Sequence, residues 1–396
     1  MGSKRERPKG SGKWQLCYDL PRLADGKRRQ TSKTIRGTER QAARELARIE
    51  EEIHRGTYCE PTKMTLEQYL DKWLEVYART NVSRKTFQEY QRIAKKYIVP
   101  ELGHILLQKL MPLHFVEYQS KMLESGSLLK EGGLSPQTVK HHHRLLRSAL
   151  DQAADWMLIS KNPIERVKPP KVVPYRPNIV SASGLSVLLK ASEETDLYVP
   201  IIIAFATGMR RGEIIGLKWQ QVDLDASTID VVQKVEQVKE GLFFGSPKSM
   251  SSIRGILMPD LLVDVLRKHK IEQAKRRLLM GSAYHDNDLV CPTPDGQVCP
   301  PDRLSQQFST LIDRIGVEKL GVSVFRFHDL RHSMASLLED IGVNLKETSE
   351  RLGHADVATT LRYYVHSSAG SQKEAAEQIN GLLFEAIGEL SSGVGR

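Results

Sequence analysis

The chain opens with two short runs in which apolar and polar positions alternate, GKWQLCYDL at 12–20 and GKRRQTSKTI at 26–35. Alternation with period two marks a half-buried strand. PRLADG between them ends in Asp25-Gly26 and reads as a turn. From Thr38 the period changes. Ala42, Leu46, Ile49 and Ile53 recur at helical spacing through TERQAARELARIEEEIHRG, with Thr38 as the cap and Glu39 and Gln41 in the first turn. Residues 1–60 are therefore expected to form a small β-sheet packed on one helix.

Residues 64–162 carry only the helical period. MTLEQYLDKWLEVYART puts Leu66, Tyr69, Leu70, Trp73, Leu74 and Tyr77 on one face. SRKTFQEYQRIAKKYIVPELG follows, capped near Ser83 and stopped by Pro100 and Gly103. MPLHFVEYQSKMLESG is a third helix, and SPQTVKHHHRLLRSALDQAADWM a fourth that starts at Ser135-Pro136. NPIERVKPPKVVPYRPNIV at 162–180 holds five prolines, which place a stiff linker at 163–177. Beyond it, 178–385 reads as a mostly helical α+β domain, with 386–396 as a tail. SGLSVLLKAS, DLYVPIIIAFATGM and RRGEIIGLKWQQV are helices. STIDVVQKVEQV and IRGILMP are strands on either side of FFGSPKSMSS, and helices resume after them. The expected fold is multidomain: a sheet plus helix, an all-α block, and a larger α+β domain.

Charge narrows the partner. The net charge is +10, and residues 1–55 hold fifteen Lys/Arg against eight Asp/Glu. A basic arm of this kind fits a polyanion, most often nucleic acid. On the sheet, Trp14, Arg28, Arg29 and Lys33 are the candidate DNA contacts, since a β-ribbon can enter a major groove; Trp14 fits a place in the core better than a base contact. His141, His142 and His143 do not read as a metal site, because adjacent helical residues point about 100° apart. One is expected to face inward, while another joins Lys140 and Arg144 toward DNA phosphates. The longest apolar run, YVPIIIAFATG, is far short of a membrane span, and MGSKRERPKG is no secretory signal. Cys17, Cys59, Cys291 and Cys299 suit neither zinc nor a disulfide framework, so free thiols in a reducing cytoplasm are expected.

The candidate chemistry lies in the last block. In ATGMRRGEIIGLKW, Arg210 begins a helix and Glu213 follows three residues on, within reach of it. A guanidinium held by a carboxylate can offer its planar fork to a phosphate. In FRFHDLRHSMASLLEDIG, His328 and Arg331 are spaced to share one helix face, and Leu330, Met334, Leu337, Leu338 and Ile341 form the apolar stripe. SPKSMSSIRG places Lys248 and Arg254 at a hairpin tip. LGHADVATTLRYYVH brings His354, then Tyr363 and Tyr364. Alone, each motif has a structural explanation. Together they supply arginines, histidines, a lysine and a phenol, with no carboxylate cluster for Mg²⁺, which is what a metal-free phosphoryl transfer requires. Fixed guanidiniums would stabilise the five-coordinate phosphorus, a tyrosine could attack it, and a lysine could protonate the leaving 5′-oxygen.

In order and spacing, TGMRRGE, PKSMSS, HDLRH and LGH…TT…YYVH resemble the tyrosine recombinases of the phage integrase family, and the resemblance runs along essentially the whole chain. It implies that Arg210 and Arg331 clamp the scissile phosphate and Lys248 protonates the 5′-oxygen. It further implies that His328 assists the tyrosine's proton transfer, His354 bonds a phosphate oxygen, and Glu213 braces the arginine. The pattern T-T-x-x-x-Y-x-H selects Tyr364 as nucleophile, while a spacing one residue shorter selects Tyr363. The product would be a 3′-phosphotyrosyl bond, and no metal or cofactor is implied. Residues 1–60 resemble an arm-binding domain and 64–162 a core-binding, SAM-like one, which with the catalytic block would clamp the duplex. Implied partners are double-stranded DNA at core and arm attachment sites, a homo-tetramer on that DNA, an excisionase and a host DNA-bending protein. An amphipathic helix with Ile379, Leu382, Leu383 and Ile387 fits either a neighbouring subunit or its own domain. Rival readings are a dimer-resolving Xer-type recombinase, a DNA-binding regulator without activity, and a metal-dependent nuclease.

Overall fold

A computed structural model describes residues 2–20, 29–128, 131–173, 175, 177–246 and 252–353. The chain divides into two compact units, Met1–Val173 and Pro174–Arg396.

The first unit begins with β1 (Ser3–Glu6), β2 (Lys13–Leu20) and β3 (Arg29–Arg36), antiparallel in that order. β1 is an addition to the expected pair: SKRE has no apolar alternation, and it is held by the backbone ladder that sets Ser3 opposite Cys17 and Arg5 opposite Gln15. α1 (Glu39–His54) covers one face. Thr38 caps it as the sequence indicates, in a reciprocal box with Gln41. Leu16, Tyr18 and Leu20 of the sheet pack with Ala42, Leu46 and Ile49 of the helix.

The rest of this unit is helical: α2 (Leu66–Trp73), α3 (Arg79–Asn81), α4 (Arg84–Ile93), α5 (Val99–Leu102), α6 (Pro112–Ser125) and α7 (Pro136–Asp155). Leu66, Tyr69, Leu70, Trp73, Phe115, Leu145, Leu146 and Leu150 form its core. Pro100 does not stop its helix. A π turn at Ala94–Ile98 widens the backbone ahead of it, and the chain runs on through α5. The wider turn spares the ring a clash with the earlier carbonyls, which is how a helix tolerates a proline. The linker also begins later than expected. Pro163–Arg166 form a 3₁₀ turn, and Ile164 and Val167 are buried in the same core.

Two of the three consecutive histidines face inward, not one. His142 bonds Tyr118 Oη at 2.8 Å and His143 bonds Gln119 Nε2 at 2.9 Å, both across to α6, while His141 is exposed. At 100° per residue, two neighbours share an inward sector when another helix lies close.

The second unit runs α8 (Ala182–Ser192), α9 (Tyr198–Thr207), α10 (Arg211–Gly216), β4 (Val222–Asp223), β5 (Thr228–Val231), β6 (Lys234–Val238), β7 (Gly241–Gly245), β8 (Arg254–Leu257), α11 (Asp260–Met280), α12 (Pro301–Ile315), α13 (Asp329–Asp340) and α14 (Leu345–Leu352). β4, β5 and β8 make one sheet, and β6 and β7 make a hairpin. Ile201, Ile203, Ile214, Ile229, Ile256, Leu262, Phe308 and Leu330 centre the core. α10 is shorter than RRGEIIGLKWQQV suggests. β6 crosses directly against Gly216, where a Cβ would lie 3.2 Å from the Lys234–Val235 backbone, and the helix ends there. On α13 the expected stripe holds only at its start. Leu330 and Met334 are buried, whereas Leu337 is 45% and Ile341 65% exposed. Arg331, His332, Ser333 and Ala335 are buried instead, because the first turns of this helix are enclosed nearly all round.

Burial, then Arg92, push the His142 pKa down to about 4 from an ordinary 6.5, and its Nε2 has no hydrogen-bond partner among the described residues. As pH falls, the unfolded chain takes up this proton first, so stability drops from about pH 6.5 toward pH 4. Urea melts of the full chain should show about 2 kcal/mol less stability at pH 5 than at pH 7 from this group. His142→Gln should flatten that slope.

Candidate active site

The site is organised on the C-terminus of α14. The last carbonyls of a helix lack backbone partners and carry the negative end of its dipole. Here three of them in succession meet guanidiniums. Arg254 Nε donates to Arg351 O at 2.7 Å, Arg331 Nη2 to Leu352 O at 2.6 Å, and Arg210 Nη2 to Gly353 O at 3.0 Å. Gly353 ends the helix in the left-handed conformation, φ 65°. A Cβ there would lie 3.0–3.2 Å from the Arg254 side chain, so glycine answers both the backbone and the crowding.

Arg210 reaches this point because α9 ends abruptly. Gly208 is also left-handed, φ 66°, and turns the chain so that Arg210 precedes the first residue of α10. A Cβ on Gly208 would come within 2.6 Å of Leu352. The Gly208 carbonyl accepts from Arg331 Nη1 at 2.5 Å. Glu213, one turn into α10 and 2% exposed, accepts from Arg210 Nη1 through Oε1 at 2.8 Å and from the Arg210 backbone N–H through Oε2 at 3.0 Å. Its Oε2 also accepts from Arg254 Nη2 at 2.9 Å. Burial acts to raise the Glu213 pKa, but Arg254 and then Arg210 outweigh it, so the carboxyl stays ionised below the usual carboxylate range.

His328 sits just before the first residue of α13, with Arg331 one turn on and buried. The His332 ring lies edge-on to His328 at 5.0 Å. Solvent can reach His328, yet protein surrounds it. That enclosure, with His332, Arg331 and Arg210, pushes its pKa down to about 4, leaving it neutral at neutral pH. Asp329 accepts from the Arg326 N–H at 2.7 Å and from Tyr175 Oη at 2.8 Å, pinning the start of α13 to the segment before α8.

Arg210, Glu213, His328 and Arg331 are thus brought together in the structure. Lys248, His354, Tyr363, Tyr364, Arg28 and the helix carrying Ile379 lie outside the described residues. Arg254 is not the hairpin-tip residue that its motif suggests. It begins β8 with its side chain 6% exposed. The available signal was its place at the start of an alternating strand, where a polar side chain can fall on the inner face.

The candidate DNA residues of the sheet that the structure describes have partners within the chain. Trp14 is half-buried against the core and donates to Gly37 O at 3.1 Å. Lys33 pairs with Glu45 of α1 at 2.8 Å, and Arg29 with Glu60 at 2.7 Å. All three follow the inward phase, set by Leu16 on β2 and Ile35 on β3. The opposite, open face carries Arg5, Lys13, Gln15, Ser32, Thr34 and Arg36, with Lys13 opposite Arg36 and Gln15 opposite Thr34. On α7, Arg144 is exposed and Lys140 half-buried. Among the described residues no group of three His, Cys, Asp or Glu is placed to hold a metal ion.

This arrangement, an α+β domain that gathers arginines around one buried carboxylate beside neutral imidazoles, is that of an anion site suited to a phosphodiester. The phage integrase family model matches residues 181–370, and the phage integrase N-terminal SAM-like model matches 65–123. The chain is 26% identical over 350 residues to a XerC-like tyrosine recombinase of Caldanaerobacter subterraneus subsp. tengcongensis, covering 83% of this chain and 86% of that protein. It is 25% identical over 391 residues to an integrase of Saccharopolyspora erythraea, covering 85% and 86%. Among solved structures, the Tn1549 transposon integrase in complex with a circular intermediate DNA shares the fold at TM-score 0.66 and 21% identity, over 80% of this chain and 99% of that one. A lambda integrase dimer bound to a core site does so at 0.53 and 19%, over 90% and 93%. The chain belongs to the phage integrase family and is a site-specific recombinase.

Removing Glu213 would leave two closely spaced guanidiniums, one of them buried, without their counter-charge. Breaking a buried pair in this way typically costs about 3–5 kcal/mol. Glu213→Ala should lose stability of that order in a denaturant melt.

Proposed function

We propose that this recombinase is an integrase that cuts and rejoins DNA through a 3′-phosphotyrosyl bond, without metal or cofactor, to integrate and excise a phage or other mobile element. The observation that carries this reading is the cluster at the end of α14: arginines anchored on backbone carbonyls, sharing one carboxylate, beside an uncharged His328. Arg210 is the more open of the two clamp arginines, its side chain 36% exposed. With Arg331 it would hold the non-bridging oxygens as negative charge develops in the transition state. Tyr364 Oη attacks phosphorus and its proton passes to His328. The bond to the 5′-oxygen breaks, Lys248 protonates that oxygen, and His354 bonds a phosphate oxygen. The reverse sequence reseals a strand, since the phosphoester energy is kept in the tyrosyl bond. A regulator that only binds DNA has no use for this buried cluster.

In this reading, residues 1–60 bind arm sites, the helical block through about 167 binds core sites with Lys140 and Arg144 toward phosphates, and 178–385 catalyses. Residues 386–396 would be the tail. A homo-tetramer would assemble on the DNA in the bacterial cytoplasm, aided by an excisionase and a host bending protein. The groove-facing side of the arm sheet is its open face, which is free of the helix and basic.

Incubated in EDTA with a nicked duplex from the element's own ends, the wild type should give a covalent protein–DNA band on a denaturing gel. Tyr364→Phe should abolish it and Tyr363→Phe should not. The opposite result moves the nucleophile by one residue. For the arm, Arg5→Ala, Lys13→Ala and Arg36→Ala should each weaken binding to a labelled end fragment. Each cation withdrawn from a DNA phosphate should lower the salt slope by about one unit. Arg29→Ala and Lys33→Ala should leave affinity within about twofold, because each already faces an intramolecular carboxylate.

A further inference from the structure

Each of the three guanidinium nitrogens of Arg254 has a different partner. Nη2 donates to Glu213 Oε2 at 2.9 Å, Nε to Arg351 O at 2.7 Å, and Nη1 to Ser252 O at 3.0 Å. The partners belong to α10, to the end of α14 and to the turn that enters β8. Ser252 adds its own hydroxyl to Gly353 O at 3.5 Å, the same carbonyl that anchors Arg210. Glu213 meanwhile gives Oε1 to Arg210. One buried carboxylate is therefore divided between two cations, and Arg254 is the more deeply enclosed, 6% exposed against 36% for Arg210.

Division matters electrically. A carboxylate that served Arg210 alone could bond its guanidinium through both oxygens and cancel its charge. Shared with Arg254, it meets the Arg210 guanidinium through Oε1 alone, while Oε2 takes the Arg210 backbone N–H and Arg254 Nη2, and the guanidinium keeps a surplus of positive charge. A low-dielectric surrounding makes that surplus more effective on a phosphate than it would be in water.

We propose that Arg254 is a positioning residue of the phosphate clamp: it holds Glu213 Oε2 away from the Arg210 guanidinium and ties the end of α14 to the same carboxylate. The inference rests on the phosphoryl-transfer reading above. Lysine cannot substitute, because one ammonium on a flexible stem does not reach three acceptors in three directions.

The test uses the full chain as wild type, Arg254→Gln, Arg254→Lys and the double variant Arg254→Gln/Glu213→Gln. The probe is the nicked end duplex with either a phosphodiester or a neutral methylphosphonate at the scissile position. Arg254→Gln should slow formation of the covalent complex about tenfold to a hundredfold, with DNA affinity held within about threefold. Arg254→Lys should not restore the rate. Adding Glu213→Gln should recover at least about fivefold, because it removes the carboxylate that now cancels Arg210. The defect should shrink on the methylphosphonate, which has less charge to stabilise. A wild-type rate for either single variant overturns the inference. So does a double variant no faster than Arg254→Gln, or an equal loss on both substrates, since a residue that merely packs would behave so. If Arg254→Gln does not fold, Arg254→Lys on the two substrates decides by the same comparison. Should the wild type bind the duplex and form no covalent complex, the phosphoryl-transfer reading itself fails.

Discussion

The end of α14 is the constraint on which the catalytic unit depends. A helix terminus presents carbonyls that must find donors, and in this chain the donors are the arginines of the site. Arg254, Arg331 and Arg210 meet the carbonyls of Arg351, Leu352 and Gly353 in turn. Anchoring of this kind fixes each guanidinium before any ligand arrives, which is what preorganised electrostatic stabilisation demands. Both left-handed glycines serve the same junction. Gly208 turns α9 away so that Leu352 can approach, and Gly353 clears the space that Arg254 occupies.

Concentrating positive charge in this way is costly, and the structure limits the cost without removing it. Glu213 is kept ionised by the two arginines it touches. His328 and His332 are held neutral, burial being the main cause in both. Arg351, half-enclosed beside Arg254, has its pKa lowered for the same reason. The site thus resists added positive charge and favours an anion, which suits a phosphodiester. The helical block shows the contrasting use of the same residue type: His142 and His143 are neutral because they are core, bonded to Tyr118 and Gln119.

Much of this was legible beforehand. TGMRRGE told of a helix start with a braced arginine, and α10 begins there with Glu213 on Arg210. Thr38 and Ser83 were readable as caps because capping is local chemistry. Where the reading failed, the missing information was a neighbour. SKRE becomes a strand only because β2 lies beside it. Pro100 sits within a continuing helical run because a π turn precedes it. Lys33 and Arg29 were legible as basic strand residues, but the ion pairs to Glu45 and Glu60 that the phase of β3 gives them were not.

What the sequence by itself determined is the inventory and its order: the four motif groups, the basic arm, the change from period two to period 3.6, and with them the family and the class of reaction. Tertiary structure alone brought Arg254 into the site. Arg254 and Arg331 are both buried arginines with the same side-chain chemistry, yet only the second sits in a motif that announces it. The first is drawn in by Glu213, forty-one residues away, and by a helix end ninety-seven residues on. Local periodicity reports how a segment divides its own apolar and polar faces. It carries no information on which distant carboxylate or carbonyl will meet the polar group when the chain closes, and in this protein that meeting shapes the phosphate site.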